Sequence, residues 1–118
     1  MSNPRSVVGR NGEDAAAAWY EAAGYIVVDR NWRVREGEID IVAKRATTLV
    51  FCEVKTRRSD AFGTPAEAVT PRKQARLRTL AGQWLSVHRE RADELRFDVA
   101  AVSPNGRGWT VAVIEAAF

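Results

Sequence analysis

Two short segments hold the residues whose types and spacing could do chemistry: Glu38-Ile39-Asp40-Ile41-Val42 and Leu49-Val50-Phe51-Cys52-Glu53-Val54-Lys55. Read as strands, successive side chains alternate between faces. Glu38, Asp40 and Val42 then share one face, with the two isoleucines opposite. Leu49, Phe51, Glu53 and Lys55 likewise share a face, opposite Val50, Cys52 and Val54. An antiparallel hairpin whose paired residue numbers sum to 93 leaves Arg45-Ala46-Thr47-Thr48 as a four-residue loop and sets Asp40 opposite Glu53 and Glu38 opposite Lys55. A sum of 91 would require a two-residue Arg-Ala turn without the glycine or asparagine that tight turns favour.

Carboxylates facing each other across a ladder, with Cβ atoms only ~5 Å apart, repel unless a cation or a proton sits between them. Mg²⁺ or Mn²⁺ would resolve that conflict. Magnesium takes carboxylate, carbonyl and water oxygens, so Asp40, Glu53 and the Val54 carbonyl make a sufficient protein contribution. Lys55, on the face of Glu53, could lower the site's charge, orient an attacking water or stabilise a phosphorane-like transition state. That is the chemistry of phosphodiester hydrolysis. The competing interpretation is a solvated hairpin carrying ordinary salt bridges. Against it, Leu49 and Phe51 lie on the carboxylate face, which implies a covered site where unpaired charge is costly.

Elements that can position such a site are legible around it. Ala15, Ala18, Trp19, Ala22 and Ala23 recur at helical spacing in a helix opened by Gly12-Glu13 and stopped by Gly24. A β-branched run follows from Tyr25 to Trp32, its Asp29-Arg30-Asn31 stretch ambiguous, then strands at Glu38 to Ala43 and Leu49 to Thr56. Arg57 to Val69 reads as a long loop. Thr70-Pro71 starts a second helix, with Leu77, Leu80, Ala81, Trp84, Leu85 and His88 on one stripe and Arg72, Lys73, Arg76 and Gln83 elsewhere. Strands at Arg96 to Val102 and Trp109 to Ile114 close the chain, joined around Pro104-Asn105-Gly106. The order αβββαββ predicts an α/β (α+β) architecture, with a single domain over residues 9–118 and a flexible N-terminus over 1–8.

Composition bounds the class. The 118 residues, 46% hydrophobic and 28% charged, suit one globular core and exclude collagen-like, coiled-coil or disordered chains. One cysteine and one histidine cannot build a disulfide or a zinc site, and a reducing cytoplasmic setting fits. No signal peptide or membrane-spanning run is apparent. A net charge of +3 suits a polyanionic partner without requiring one.

Asp40 followed by Glu53-Val54-Lys55 resembles the PD-(D/E)xK nuclease superfamily. Gly12-Glu13, Gly37-Glu38-Ile39-Asp40, Phe51-Cys52-Glu53-Val54-Lys55-Thr56-Arg57, Phe62-Gly63, Lys73 and Arg96-Phe97-Asp98-Val99 together resemble the bacterial YraN-like family, over nearly the whole domain. The resemblance implies a central mixed sheet flanked by helices, similar to Holliday-junction resolvases and restriction endonucleases. It implies Asp40 and Glu53 as metal ligands, Lys55 as the catalytic lysine and Glu13 as a further ligand from the first helix. An acid at a helix start is also simply a favourable dipole partner. The superfamily's proline is absent, Ile39 standing before Asp40.

Around this centre, Glu38 reads as a support for the site or a Lys55 partner, and Gln74 as a polar group facing it. Arg57, Arg58, Arg72, Lys73 and Arg76 read as a phosphate-binding rim. Asp98 suits a structural pairing with arginine, His88 a helix C-terminal dipole partner, Cys52 an inert buried thiol, and the tryptophans core or sheet-edge positions. The expected function is Mg²⁺- or Mn²⁺-dependent endonucleolytic cleavage of DNA, branched or structured DNA included, with a homodimer compatible with symmetric cutting of two strands. The rival is a catalytically silent nucleic-acid-binding or adaptor domain of the same fold. RNA as the substrate is a third reading, although no RNA-reading module is recognisable.

Overall fold

In the computed structural model, residues 4–57 and 69–118 are described, with side chains from residue 12 onward. The elements run α1(Pro4–Ala22), β1(Ile26–Val34), β2(Gly37–Arg45), β3(Thr48–Thr56), α2(Pro71–His88), β4(Glu94–Asn105) and β5(Gly108–Ile114). The αβββαββ order is the one expected. α1 begins at Pro4, ahead of the Gly12-Glu13 opening expected; residues 1–3 lie outside the described residues.

Local chemistry sets the helix ends. At α1, Gly24 adopts φ +91° and the Tyr25 N–H donates back to the Tyr20 carbonyl at 2.9 Å, a left-handed closure that glycine makes without steric cost. At α2, Thr70 is the N-cap, its hydroxyl accepting from the Lys73 N–H at 3.3 Å, and Pro71 takes the first turn.

The strands form one sheet in the order β1-β2-β3-β4-β5. All neighbours are antiparallel except β3 and β4, which run parallel from Thr48↔Glu94 to Thr56↔Val102. A parallel pair requires a crossover, and α2 lies within it. The sheet is therefore covered on both faces. Small side chains, Ala16 and Ala17, bring α1 close to Ile41, Ala43, Val50, Cys52, Ala100 and Val102. Larger ones, Leu77, Leu80 and Trp84, bring α2 onto Ile39, Val42, Leu49, Phe51 and Phe97.

The β2–β3 hairpin has the register expected, from Ile41↔Cys52 to Arg45↔Thr48. Its loop is shorter than the four residues expected, because Arg45 and Thr48 pair and only Ala46-Thr47 remain to turn the chain. Ala46 takes φ +52° to do so, as two-residue hairpin turns require. Two-faced alternation also breaks once. Ile39 packs beneath α2 while Ile41 packs beneath α1, although uninterrupted pleating would put both on one face. The break falls at Asp40.

Candidate active site

Asp40 is released from the sheet on both sides. Toward β3, the ladder ends at Ile41↔Cys52, one position short of it. Toward β1, partners run through Arg30↔Ile41 and resume at Trp32↔Ile39, skipping Asn31 and Asp40. The Asp40 carboxylate instead accepts the Val54 N–H at 2.8 Å, standing in for the main-chain acceptor that a continuing ladder would have offered. The facing pairs expected, Asp40 with Glu53 and Glu38 with Lys55, are therefore not ladder partners. The β2–β3 ladder stops where these residues begin, and the Val54 N–H that a continuing ladder would use is taken by the Asp40 carboxylate.

The residues still gather. A cavity of about 210 Å³ is lined by Glu38, Asp40 and Glu53 from the two strands, with Lys73, Arg76, Leu77 and Leu80 from α2 and Gly37 beneath them. Gly37 has φ +154°, and a Cβ there would lie 3.2 Å from Leu80 Cδ1 and 3.4 Å from Arg76 Cδ. Its missing side chain lets α2 approach the start of β2. Lys55 Nζ lies 3.1 Å from Glu53 Oε1, both half-buried, so the lysine's partner is Glu53 and not Glu38. Glu38 pairs at 3.4 Å with Arg33, its neighbour across the β1–β2 ladder.

Electrostatics mark Asp40 within this group. Burial pushes its carboxyl up to about 7, and the negative charges of Glu38, Glu13 and Glu53 push the same way against the stabilising Val54 N–H. Glu13 is buried on α1 and is also raised, chiefly by burial. Its Oε1 accepts from Asn31 Nδ2 at 2.6 Å and Arg30 Nε at 3.3 Å. Among the described residues, no three carboxylate, thiol or imidazole groups converge closely enough to form a ready-made metal centre. Two carboxylates with a main-chain oxygen suit a hard cation that keeps most of its waters, and the excess negative charge at Asp40 is the kind a divalent cation neutralises. The donor set fits Mg²⁺ or Mn²⁺ through Asp40 and Glu53. Glu13 is engaged by Arg30 and Asn31 and contributes charge from outside that pair.

Of the expected rim, Lys73 and Arg76 line the cavity and Arg72 is exposed one residue earlier on α2. Gln74 does not line it; its amide donates to the Val69 carbonyl at 3.1 Å, closing the start of the helix. Arg57 is half-buried at the end of β3, where its N–H donates to the Val102 carbonyl at 2.8 Å. Arg58 and Phe62-Gly63 lie outside the described residues. His88 Nδ1 is 2.8 Å from the Trp84 carbonyl, in keeping with its expected place at a helix C-terminus. Cys52 is buried, and burial raises its thiol, in keeping with an inert position. Arg30, Asn31 and Arg33 were not expected to reach the acidic cluster. An asparagine inside a β-branched run was the available signal.

The comparisons agree with the motifs. Residues 12–102 match the model of the "Uncharacterised protein family UPF0102". The chain belongs to this family, the YraN-like one that its motifs resemble. A UPF0102 protein of Beutenbergia cavernae is 55% identical over 98 residues, covering 83% of each chain. One from Frankia casuarinae is 49% identical over 104 residues, 88% of each, and one from Frankia alni is 50% identical, covering 84% of this chain and 82% of its own. The match takes in Glu13, Asp40, Glu53, Lys55 and the start of α2, so the acidic cavity lies within the family's common region. No helix among the described residues is long and apolar enough to cross a membrane.

Proposed function

We propose that this UPF0102 protein is a Mg²⁺- or Mn²⁺-dependent endonuclease that hydrolyses phosphodiester bonds in DNA, branched or structured DNA included, in the cytoplasm. One observation carries the reading: Asp40, freed from both neighbouring strands, stands in a cavity with Glu53, whose carboxylate holds Lys55, while Lys73 and Arg76 line the same cavity.

Asp40, Glu53 and the Val54 carbonyl would hold the cation, which when bound supplies an acidified water and counter-charge for a phosphate. Lys55 Nζ, kept beside the site by Glu53, donates to the attacking water or to a phosphate oxygen. Lys73 and Arg76 are placed to hold the phosphate in line, the guanidinium by two parallel hydrogen bonds. The Val54 N–H fixes the Asp40 carboxylate and so limits its rotation. Arg33 pairs with Glu38 and offsets part of the charge that this acid adds beside Asp40.

The test incubates purified protein with four-way, forked and linear DNA, and with RNA of the same forms, under Mg²⁺, Mn²⁺ or EDTA. Metal-dependent cleavage of DNA that Asp40→Asn and Lys55→Ala both abolish is the expected result. Cleavage untouched by either substitution overturns the assignment. DNA binding without cleavage under every metal establishes the silent adaptor instead. Preferential cutting of RNA moves the substrate class.

A further inference from the structure

Asn31 is the feature of this region that the proposed chemistry leaves unexplained. It stands inside β1 with φ +53°, in the left-handed region, flanked by residues in the ladder on both sides. Among non-glycine residues asparagine tolerates this conformation best, and a residue so held in mid-strand is sustained by its surroundings. Two things are found there together. Its backbone leaves the ladder at the position opposite Asp40, where β2 also reverses its pleat. Its side-chain amide donates to the buried Glu13 on α1 at 2.6 Å.

We infer that Asn31 is a positioning residue for the acidic site, its backbone releasing Asp40 from β1 and its amide clamping Glu13 beside it. The inference rests on the metal-site reading and deepens it. A neutral amide can fix a carboxylate without cancelling its charge, whereas a second arginine in its place would. Arg30 adds a donor to the same Glu13 oxygen, at 3.3 Å, but is shared with Asp14 on the helix surface. The closer and unshared contact is that of Asn31. Glu13 therefore adds negative charge near Asp40 while remaining outside the ligand pair, and its place depends on a bond from a third element.

Backbone and amide are separable by substitution. Asn31→Gly keeps the left-handed conformation and deletes the amide; Asn31→Ala deletes the amide and disfavours the conformation. Metal-free crystal structures and Mn²⁺ calorimetry of both, with Glu13→Gln and the double variant Glu13→Gln/Asn31→Gly, form the experiment. In Asn31→Gly the ladder break remains and the Glu13 carboxylate moves away, with Mn²⁺ affinity falling about tenfold, the usual scale for a group that supports a ligand. Asn31→Ala weakens binding further. The double variant binds no more weakly than the weaker single one, since both break one link. Glu13 unmoved in Asn31→Gly crystals, or effects that add in the double variant, overturns the clamp. Wild-type protein that binds no Mn²⁺ overturns the metal reading alone, and the metal-free crystals then decide the clamp by themselves.

Discussion

Asp98 and Asp40 are aspartates on interior strands of the same sheet, and they are treated in opposite ways. Asp98 is fully buried and fully partnered: Arg96 donates to both carboxylate oxygens at 2.9 and 3.0 Å, Tyr20 Oη donates at 2.7 Å and the Ala116 N–H at 3.0 Å. Among the described residues, Asp40 receives one backbone N–H and faces the negative fields of three other acids. The first arrangement ties α1, β4 and the C-terminal segment together. Among the described residues, the second leaves a carboxylate with no ion-pair partner of its own in a cavity that Lys73 and Arg76 line from α2. A buried acid becomes structural when its neighbours supply the counter-charge, and becomes a site when they withhold it.

Removing each acid should show the contrast most sharply. Asp98→Ala leaves Arg96 and the Tyr20 hydroxyl without their acceptor and is expected to cost about 3–5 kcal/mol, measured by urea unfolding. Asp40→Asn is expected to do the reverse. A carboxyl raised from 3.8 to about 7 binds more protons folded than unfolded between those values, so that window is one in which stability falls as pH rises. Without metal, the asparagine variant should exceed the wild type by on the order of 2–4 kcal/mol near pH 8, with the gap closing toward pH 4. A Tm difference that stays constant across that range would refute the account.

Metal should invert the second result. Because a ligand must shed its proton, Mn²⁺ affinity is expected to rise through about pH 7 and level off above it, and Mn²⁺ should raise the Tm of the wild type but not of Asp40→Asn. Calorimetry over pH checks the first part and thermal melts the second. A smaller effect is expected at the floor of the cavity. Gly37→Ala places a methyl against Leu80 and Arg76 at an unfavourable φ, costing about 1–2 kcal/mol and narrowing the cavity. The smallest is at the rim. Lys73→Ala should lower the salt slope of DNA binding in EDTA by about one phosphate contact, while Arg91→Ala, an exposed residue beyond the other end of α2, should leave it unchanged.

The second helix was legible to the residue because a cap is local chemistry: Thr70 and Pro71 carry the signal in their own side chains. The hairpin register was legible too, from the lack of a glycine or asparagine in the Arg45-Ala46 turn that the competing pairing would need. The start of α1 was not, because no cap precedes Gly12 and the helix continues back to Pro4. Nor was the two-residue turn at Ala46-Thr47, as Ala46 accepts a positive φ that its side chain does not advertise. Gln74 and Glu38 show the same difficulty in the site. Each is polar and well placed along the chain, but the Val69 carbonyl and Arg33 claim them.

By itself the sequence determined the element order, the two-faced sheet, and the company of Asp40, Glu53 and Lys55, because these follow from alternation, capping and composition within a few residues. Only the tertiary structure decided that β2 ends its ladder with β3 and skips one pairing with β1 at Asp40, that Lys55 belongs to Glu53, and that Asn31 reaches Glu13. Those outcomes depend on which distant groups compete for the same hydrogen bond or charge, and such competition is settled by the folded arrangement of α1, β1 and β3 together.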